Sequence, residues 1–379
     1  MQAGQRLEAV HPPYPASAAP PLTGEFINMP NVAHLSLRTL GRNIFEAVGV
    51  PPDQSAIVTD HLVDSNLFGH DSHGMMHTPG YVRGLRNGGI VPVGDLTFVR
   101  DAPASAVIDA QQGLGIVVAR RAMEMAVDRA KEHTLGAIAV HQASHIGRLG
   151  EYACLAAAKD CVGIVMLNGG SRSTAPFGGT SRRLPPNPIA VAVPRHGGPP
   201  LMLDITTSMA AMGKAAVRKA RGQDLPVGWF VDAHGGAVTD ANAAWSPDVA
   251  MLPMGGPVGY KGYGLAVMID AIAGGLSWAG CSAASPTRGG SGFLCLAIKI
   301  ESFIDLNEYK DEIAILSEWV MSSQTLPGVD RIYLPGEIEW ETREKREAEG
   351  IPIEEETWER LHATARECGA SIPDKMLVS

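Results

Sequence analysis

What this chain lacks narrows its function first. Its five cysteines, at 154, 161, 281, 295 and 368, are odd in number and form no Cys-x-x-Cys pair. That usage fits reduced thiols in a cytosolic protein better than a disulfide framework. No apolar run reaches the roughly 18 residues of a membrane span. Basic charge is not in excess: 31 Lys and Arg against 40 Asp and Glu leave a net charge of -9. A nucleic-acid partner is therefore not expected, because phosphate neutralisation needs clustered cations. No serine sits in a Gly-x-Ser-x-Gly elbow, which argues against a serine hydrolase. The first 30 residues are rich in Pro and Ala and lack the apolar core of a signal peptide. Residues 1–33 are read as a disordered extension outside the fold.

What is present reads as an α/β protein. The 379 residues are 45% hydrophobic, with 43 glycines, enough for two or three domains or one intertwined unit. Leu37, Leu40, Ile44 and Val48 repeat at helical spacing and stop at Gly49 and Pro51-Pro52. Asp53 is a candidate cap for a second helix through Ile57, Leu62 and Leu67. A third short helix is expected over Pro79–Leu85. Strands are expected at Ala106–Asp109, Gly136–Val140, Val162–Leu167, Ile189–Val193, Leu201–Leu203 and Gly292–Ile300. Helices are expected at Ala119–His133 and Gly150–Lys159, with a buried apolar one at Gly262–Leu276. Residues 305–379 return to helices, including Glu356–Cys368, and the mixed-sign run Glu337–Glu349 reads as a solvated helix face. This gives a helical part over 34–112, an α/β core over 113–300, and a C-terminal helical part over 301–379 that packs with the first helices.

The stretch His141-Gln142-Ala143-Ser144-His145-Ile146-Gly147-Arg148 carries the most chemistry. It follows the apolar run Ala137–Val140, and catalytic groups are often held on a loop leaving a rigid strand. Its two histidines have zinc-protease spacing, but Gln142 replaces the essential Glu. His70, His73 and His77, with Asp71, have a spacing that could share one helix face. Gly74 and Pro79 oppose a continuous helix there, and no metal is assigned. Gly113-Leu114-Gly115 follows a strand, but Val118 occupies the third glycine position of a dinucleotide fingerprint, so a Rossmann site is rejected. Asp204, Ile205 and Thr206 end a strand, with Lys214 one to two turns later. They suit either the ribose and phosphates of a cofactor or a helix N-cap by Asp204 or Thr206. Gly259–Gly264, with Tyr260 and Lys261, opens the apolar helix and permits either anion approach or helix packing.

Several pieces in order resemble the malate/L-lactate dehydrogenase type-2 family, which lacks a Rossmann fold. They are Gly69-His70-Asp71-Ser72-His73-Gly74 with Tyr81, Ser144-His145-Ile146-Gly147, Ala175-Pro176-Phe177-Gly178, Asn187-Pro188, Leu203-Asp204 with Thr207-Ser208 and Gly213-Lys214, and Lys261-Gly262-Tyr263-Gly264-Leu265. Leu334-Pro335-Gly336-Glu337, Thr342-Arg343 and Gly350-Ile351-Pro352 extend the match, which covers residues 34–379.

The resemblance implies an α+β fold with a mixed, largely antiparallel sheet and a helical domain from both chain ends. It implies a homodimer and an NAD- or NADP-dependent interconversion of 2-oxo and 2-hydroxy acids. Reduction of a cyclic imine, or cofactor binding without catalysis, are the alternatives. The implied proton donors are His145, which is preferred, and His73. Ser72, His77 and Tyr81 would line the substrate pocket. Cofactor contacts would come from His73, Gly147, Arg148, Leu149, Met202, Leu203, Asp204, Ile205, Thr206, Lys214, Tyr260, Lys261, Tyr333, Leu334, Pro335 and Gly336. The chain departs from the family pattern in four places. His77 stands where many relatives carry an Arg, and Tyr260 where a close relative carries a His. Pro185-Pro186 replaces a Gly-Thr pair, and Trp278 fills a usually small position.

Overall fold

The computed structural model describes residues 29–220, 222–284 and 291–378. Most of the expected N-terminal extension, residues 1–28, lies outside them; at its end Asn31–Val32 form strand β1. The stripe Leu37, Leu40 and Ile44 drives α1 (His34–Ala47), with all three side chains fully buried and Val48 just past the helix as its C-cap. Asp53 does not cap α2 (Pro52–Leu67). Pro51 is the N-cap and Pro52 opens the first turn, where its missing N–H costs nothing; Asp53 adds only a favourable charge there. Two short 3-10 turns, Asp71–His73 and Met75–His77, lead into α3 (Thr78–Arg86).

The middle of the chain is built on β2 (Thr97–Ala102), β3 (Ser105–Asp109), α4 (Gly115–His133), β4 (Leu135–Ala143), α5 (Gly150–Ala157), β5 (Cys161–Asn168), β6 (Ile189–Val193) and β7 (Leu201–Ile205). A smaller unit follows, with α6 (Met212–Ala220), β8 (Phe230–Asp232), β9 (Ala237–Val238) and β10 (Val249–Met251). Then come α7 (Tyr260–Ile269), β11 (Ser291–Lys299), α8 (Leu306–Met321), α9 (Glu337–Glu349), β12 (Ile351–Pro352) and α10 (Glu355–Cys368). The main sheet has the order β2-β3-β4-β11-β5-β6-β7, and every neighbouring pair is antiparallel except β3–β4. Helix α4 makes the crossover that this one parallel pair requires. The small unit has its own sheet, β10-β8-β9, and its own apolar cluster around Phe230 and Met251. The two chain ends meet: β1 pairs with β12, and Leu361 and Ala365 of α10 share the core of α1. This is the mixed, largely antiparallel α/β architecture expected.

Among the boundaries that differ from the sequence reading, those of α4, β4, β7 and the 262–276 helix shift most in meaning. Helix α4 starts at Gly115, not Ala119. A Cβ at Gly115 would lie 2.1 Å from the Ser144 carbonyl, so only glycine permits this first turn. Its N–H donates to Ser144 Oγ at 2.8 Å. The Gly-x-Gly stretch thus serves helix–loop contact. Strand β4 continues through His141 to Ala143, because Gly292 and Ser291 of β11 pair with those two residues across a bulge. Strand β7 runs on to Ile205 by pairing with Ile189. The expected buried helix at 262–276 is α7 followed by a π-helical turn, Asp270–Gly274, and it is only half buried: Met268 and Leu276 are more than half exposed.

Candidate active site

The 3-10 turns before α3 are rigidly built. Asn66 donates to Asp71 Oδ1 at 2.7 Å and accepts from the Met75 N–H at 2.9 Å. Gly74 breaks the helix between the turns, since a Cβ there would overlap the Asn66 carboxamide. Arg346 of α9 forks onto both oxygens of Asp71, at 2.7 and 3.1 Å. Ser72, His73 and His77 are thereby fixed, and α3 adds Tyr81.

The loop after β4 brings His145 onto this platform. Tyr81 Oη lies 2.7 Å from His145 Nδ1. The His145 ring centre is 4.7 Å from that of His77 and 6.0 Å from that of His73, which is nearly parallel to it. Ser72 Oγ lies 3.1 Å from His73 Nδ1, and His77 Nε2 donates to the Ser72 carbonyl at 2.8 Å. Both expected proton donors and all three expected pocket residues therefore meet in one cluster. His141 does not join it; its ring centre lies 6.3 Å from that of Trp278.

The cluster favours neutral imidazoles. Burial, with His70 and His77 adding like charge, pushes His73 down to about 4. Crowding by protein, with His77 and His73 beside it, pushes His145 down to about 3. One edge of His145 is open to solvent, which tempers the size of that shift but not its direction. Burial also lowers His77, against the opposing bond to Ser72, and raises the Tyr81 hydroxyl.

Residues 145–150 are tied down at four points: His145 at Tyr81, the Ile146 carbonyl at Tyr152 Oη (2.5 Å), the Arg148 N–H at His61 Nε2 (3.0 Å) and the Gly150 N–H at Asp204 Oδ2 (2.7 Å). Asp204 is not an N-cap: it accepts from the first N–H of α5, whose own N-cap is Leu149 and which follows a different strand. Thr206 caps none; its hydroxyl bonds the Ser208 carbonyl. Burial raises the Asp204 carboxyl, with Arg148 and His70 opposing.

The residues expected at a cofactor fall into one contiguous band and one separate patch. Gly147, Arg148 and Leu149 are buried, not surface-lining. The Arg148 guanidinium lies 4.3 Å over Phe68 and 3.5 Å from Met202 Sδ, and its Nε has no hydrogen-bond partner among the described residues. The Met202 N–H donates to Pro335 at 3.0 Å, and Gly336, at φ +88°, leaves no room for a Cβ against Met202. Beside buried Met202, Leu334 and Gly336 stand exposed Leu203, Tyr333 and Pro335, with Asp204, Ile205 and Thr206 half-buried. Helix α6 closes the other side: a Cβ on Gly213 would meet Ser72 at 2.8 Å, and exposed Lys214 follows. This band, with the orphaned Arg148 Nε at its centre, fits an extended dinucleotide reaching the histidines. Tyr260 and Lys261 form the separate patch, exposed at the start of α7, where Tyr260 packs edge-on against Phe177.

Sequence reasoning missed His61 and Glu151. His61 is fully buried on α2, its Nδ1 2.8 Å from Glu151 Oε2. The available signal was its place three residues after buried Val58, a polar ring on the helix's core side.

The model of the malate/L-lactate dehydrogenase family matches residues 32–362. The malate dehydrogenase of Pyrococcus horikoshii is 36% identical over 337 residues, covering 86% of this chain and 92% of that protein. Hydroxycarboxylate dehydrogenase B of Escherichia coli is 33% identical over 90% of this chain and 95% of its own length. The solved structure of the Pyrococcus horikoshii enzyme superposes with a TM-score of 0.83 at 33% identity, covering 92% of this chain and 98% of that one. The family model, the sequence identities and the superposition agree, and the chain belongs to the malate/L-lactate dehydrogenase family of hydroxy acid oxidoreductases.

Proposed function

We propose that the protein interconverts small 2-oxo acids and 2-hydroxy acids with NAD or NADP, and that His145 moves the proton. The observation that carries this is the meeting of His145, His73, His77, Ser72 and Tyr81 in one cluster. A bound nicotinamide would supply or accept the hydride. The side chains handle charge and proton.

Tyr81 Oη takes the His145 Nδ1–H and can give its own proton to the His145 carbonyl 3.5 Å away. That tautomer leaves Nε2 as an open lone pair, the base that takes the hydroxyl proton during oxidation. In reduction the same Nε2, protonated, gives its proton to the carbonyl oxygen. The substrate carboxylate raises the imidazole from its depressed state and makes the charged form accessible. Ser72 Oγ donating to His73 Nδ1 leaves His73 Nε2–H as a second donor toward the substrate. Met202–Thr206, Tyr333–Gly336 and Lys214 hold the dinucleotide along the band, and Arg148 presents charge from below. His77 is neutral where an Arg would pair a second carboxylate, which favours monocarboxylic over dicarboxylic substrates.

The protein is read as a cytoplasmic homodimer. Five free thiols suit a reducing compartment, and the apolar face of α8 suits a second copy. No helix among the described residues is long and apolar enough to cross a membrane.

The test follows nicotinamide absorbance with pyruvate, phenylpyruvate, oxaloacetate and 2-oxoglutarate, each with NADH and NADPH. Turnover of at least one acid, best with the monocarboxylates, is expected. No turnover with any pair would overturn the reading, and turnover of cyclic imines alone would replace it. His145→Ala should lower kcat by about 10²- to 10⁴-fold and leave cofactor Kd within about threefold. Retained activity would move the role to His73.

A further inference from the structure

His61 lies outside the reacting cluster, yet it touches the loop that carries it. Its ring is fully buried between α2 and the start of α5. Glu151 Oε2 is 2.8 Å from Nδ1, and the Arg148 N–H donates to Nε2 at 3.0 Å. A backbone N–H can only donate, so Arg148 makes Nε2 the acceptor and leaves the proton of the neutral ring on Nδ1, beside Glu151 but outside hydrogen-bond geometry with it. The ring also stacks on Tyr152, with centres 5.4 Å apart and planes 18° from parallel, and Tyr152 Oη holds the Ile146 carbonyl. The backbone between these anchors reverses at Gly147, φ +68°, where a Cβ would lie 2.0 Å from His61 Nε2. The loop is therefore moulded around the imidazole, and His145 is two residues from the reversal. Burial works against the charge of Glu151, but His61 and Arg148 outweigh it and hold the carboxyl below its ordinary value.

We propose that His61, held as a hydrogen-bond acceptor at Nε2 by the Arg148 N–H, is a positioning residue that sets the turn at Gly147 and so aims His145. This rests on reading His145 as the proton-transferring group. A histidine serving only the core would bond within its own helix layer. His61 instead gives Nε2 to the loop and turns Nδ1 to the Glu151 carboxylate of the helix that follows it.

The test uses the full chain labelled with ¹⁵N-histidine, with ring resonances assigned by single substitutions. Wild-type His61 should show a protonated Nδ1 and a bare Nε2. In His61→Leu the Arg148 N–H loses its acceptor, so the His145 ring resonances should move. kcat should fall about 10- to 100-fold while cofactor Kd stays within about threefold, the signature of a misplaced reacting group. His61→Gln keeps an amide oxygen within reach of Arg148 and should recover to within about fivefold of wild type. If His61→Leu does not fold, His61→Asn replaces it; its shorter side chain withdraws the acceptor from the Arg148 N–H, and the His145 resonances should move as expected for the Leu variant. The proposal is overturned by unmoved His145 resonances in a folded variant, by equal loss in the Gln and Leu variants, or by an Nε2–H tautomer in the wild type. A wild type that reduces no 2-oxo acid would sink the functional reading instead, while the resonances would still decide the positioning.

Discussion

At the scale of single residues, the cluster holds His73, His77 and His145 toward the neutral form. His73 and His145 titrate near the ordinary 6.5 when unfolded, and burial and mutual repulsion bring them to about 4 and about 3 when folded. As the pH falls below about 6.5, the unfolded chain takes up protons that the folded chain refuses, so the folded state loses stability. The loss grows toward pH 4 and levels below the folded values. His73 carries more of it, since water reaches the edge of His145. Urea midpoints from pH 7.5 to 4.5 should therefore fall more steeply in the wild type than in a His73→Gln, His145→Gln double variant. A saturating 2-oxo acid should flatten the wild-type slope, because its carboxylate favours the imidazolium. Identical slopes in wild type and double variant would count against this description of the cluster.

At the scale of elements, the turn after α7 shows both what the sequence revealed and what it hid. Ile189–Val193 and the Leu37, Leu40, Ile44 stripe were legible because their periodicity is local. The first turn of α4 and the end of β4 were not, because Gly115 and His141 owe their conformations to Ser144 and Gly292, distant in the chain. The site followed the same rule: nothing in the spacing of His73 and His145 says that they meet, and only the ordered family motifs did. The π-turn was invisible for that reason too. Its Asp270 accepts from Asn168 and Asn187 at 3.1 Å each, and from the Ser282 N–H and Oγ at 2.8 and 2.7 Å. Four donors from three segments close around one buried carboxylate, pinning Asn187, whose φ is +36°, beside Thr207, two residues past β7. Asp270→Asn turns an NH₂ toward those donors. It should cost about 2–4 kcal/mol in equilibrium urea unfolding, as for other broken buried networks. A change under about 0.5 kcal/mol would mean that the network relaxes freely.

At the scale of the whole molecule, one surface looks unfinished. Helix α8 and its flanks expose Phe303 (70%), Ile315 (59%), Leu316 (50%), Trp319 (76%) and Leu326 (57%) to solvent. Scattered apolar residues need no explanation, but several large ones on one helix and its ends mark a surface that is covered in use. Trp319 has the size and rigidity of an interface anchor. A second copy is the simplest cover, since two α8 faces meeting about a two-fold axis bury the same side chains from both sides. The acidic surface, at a net charge of -9, discourages less specific association. Light scattering at micromolar concentration should then give twice the chain mass for the wild type and the single chain mass for Trp319→Glu. The charge would otherwise be buried unpaired, at a cost of several kcal/mol. Trp319 is not among the residues placed at the histidine platform. If the variant is monomeric and still turns over substrate, each cleft is complete in one chain. If activity disappears with the dimer and returns at high protein concentration, the partner completes the cleft. A wild type of single-chain mass, or a variant that stays dimeric, would remove α8 as the contact.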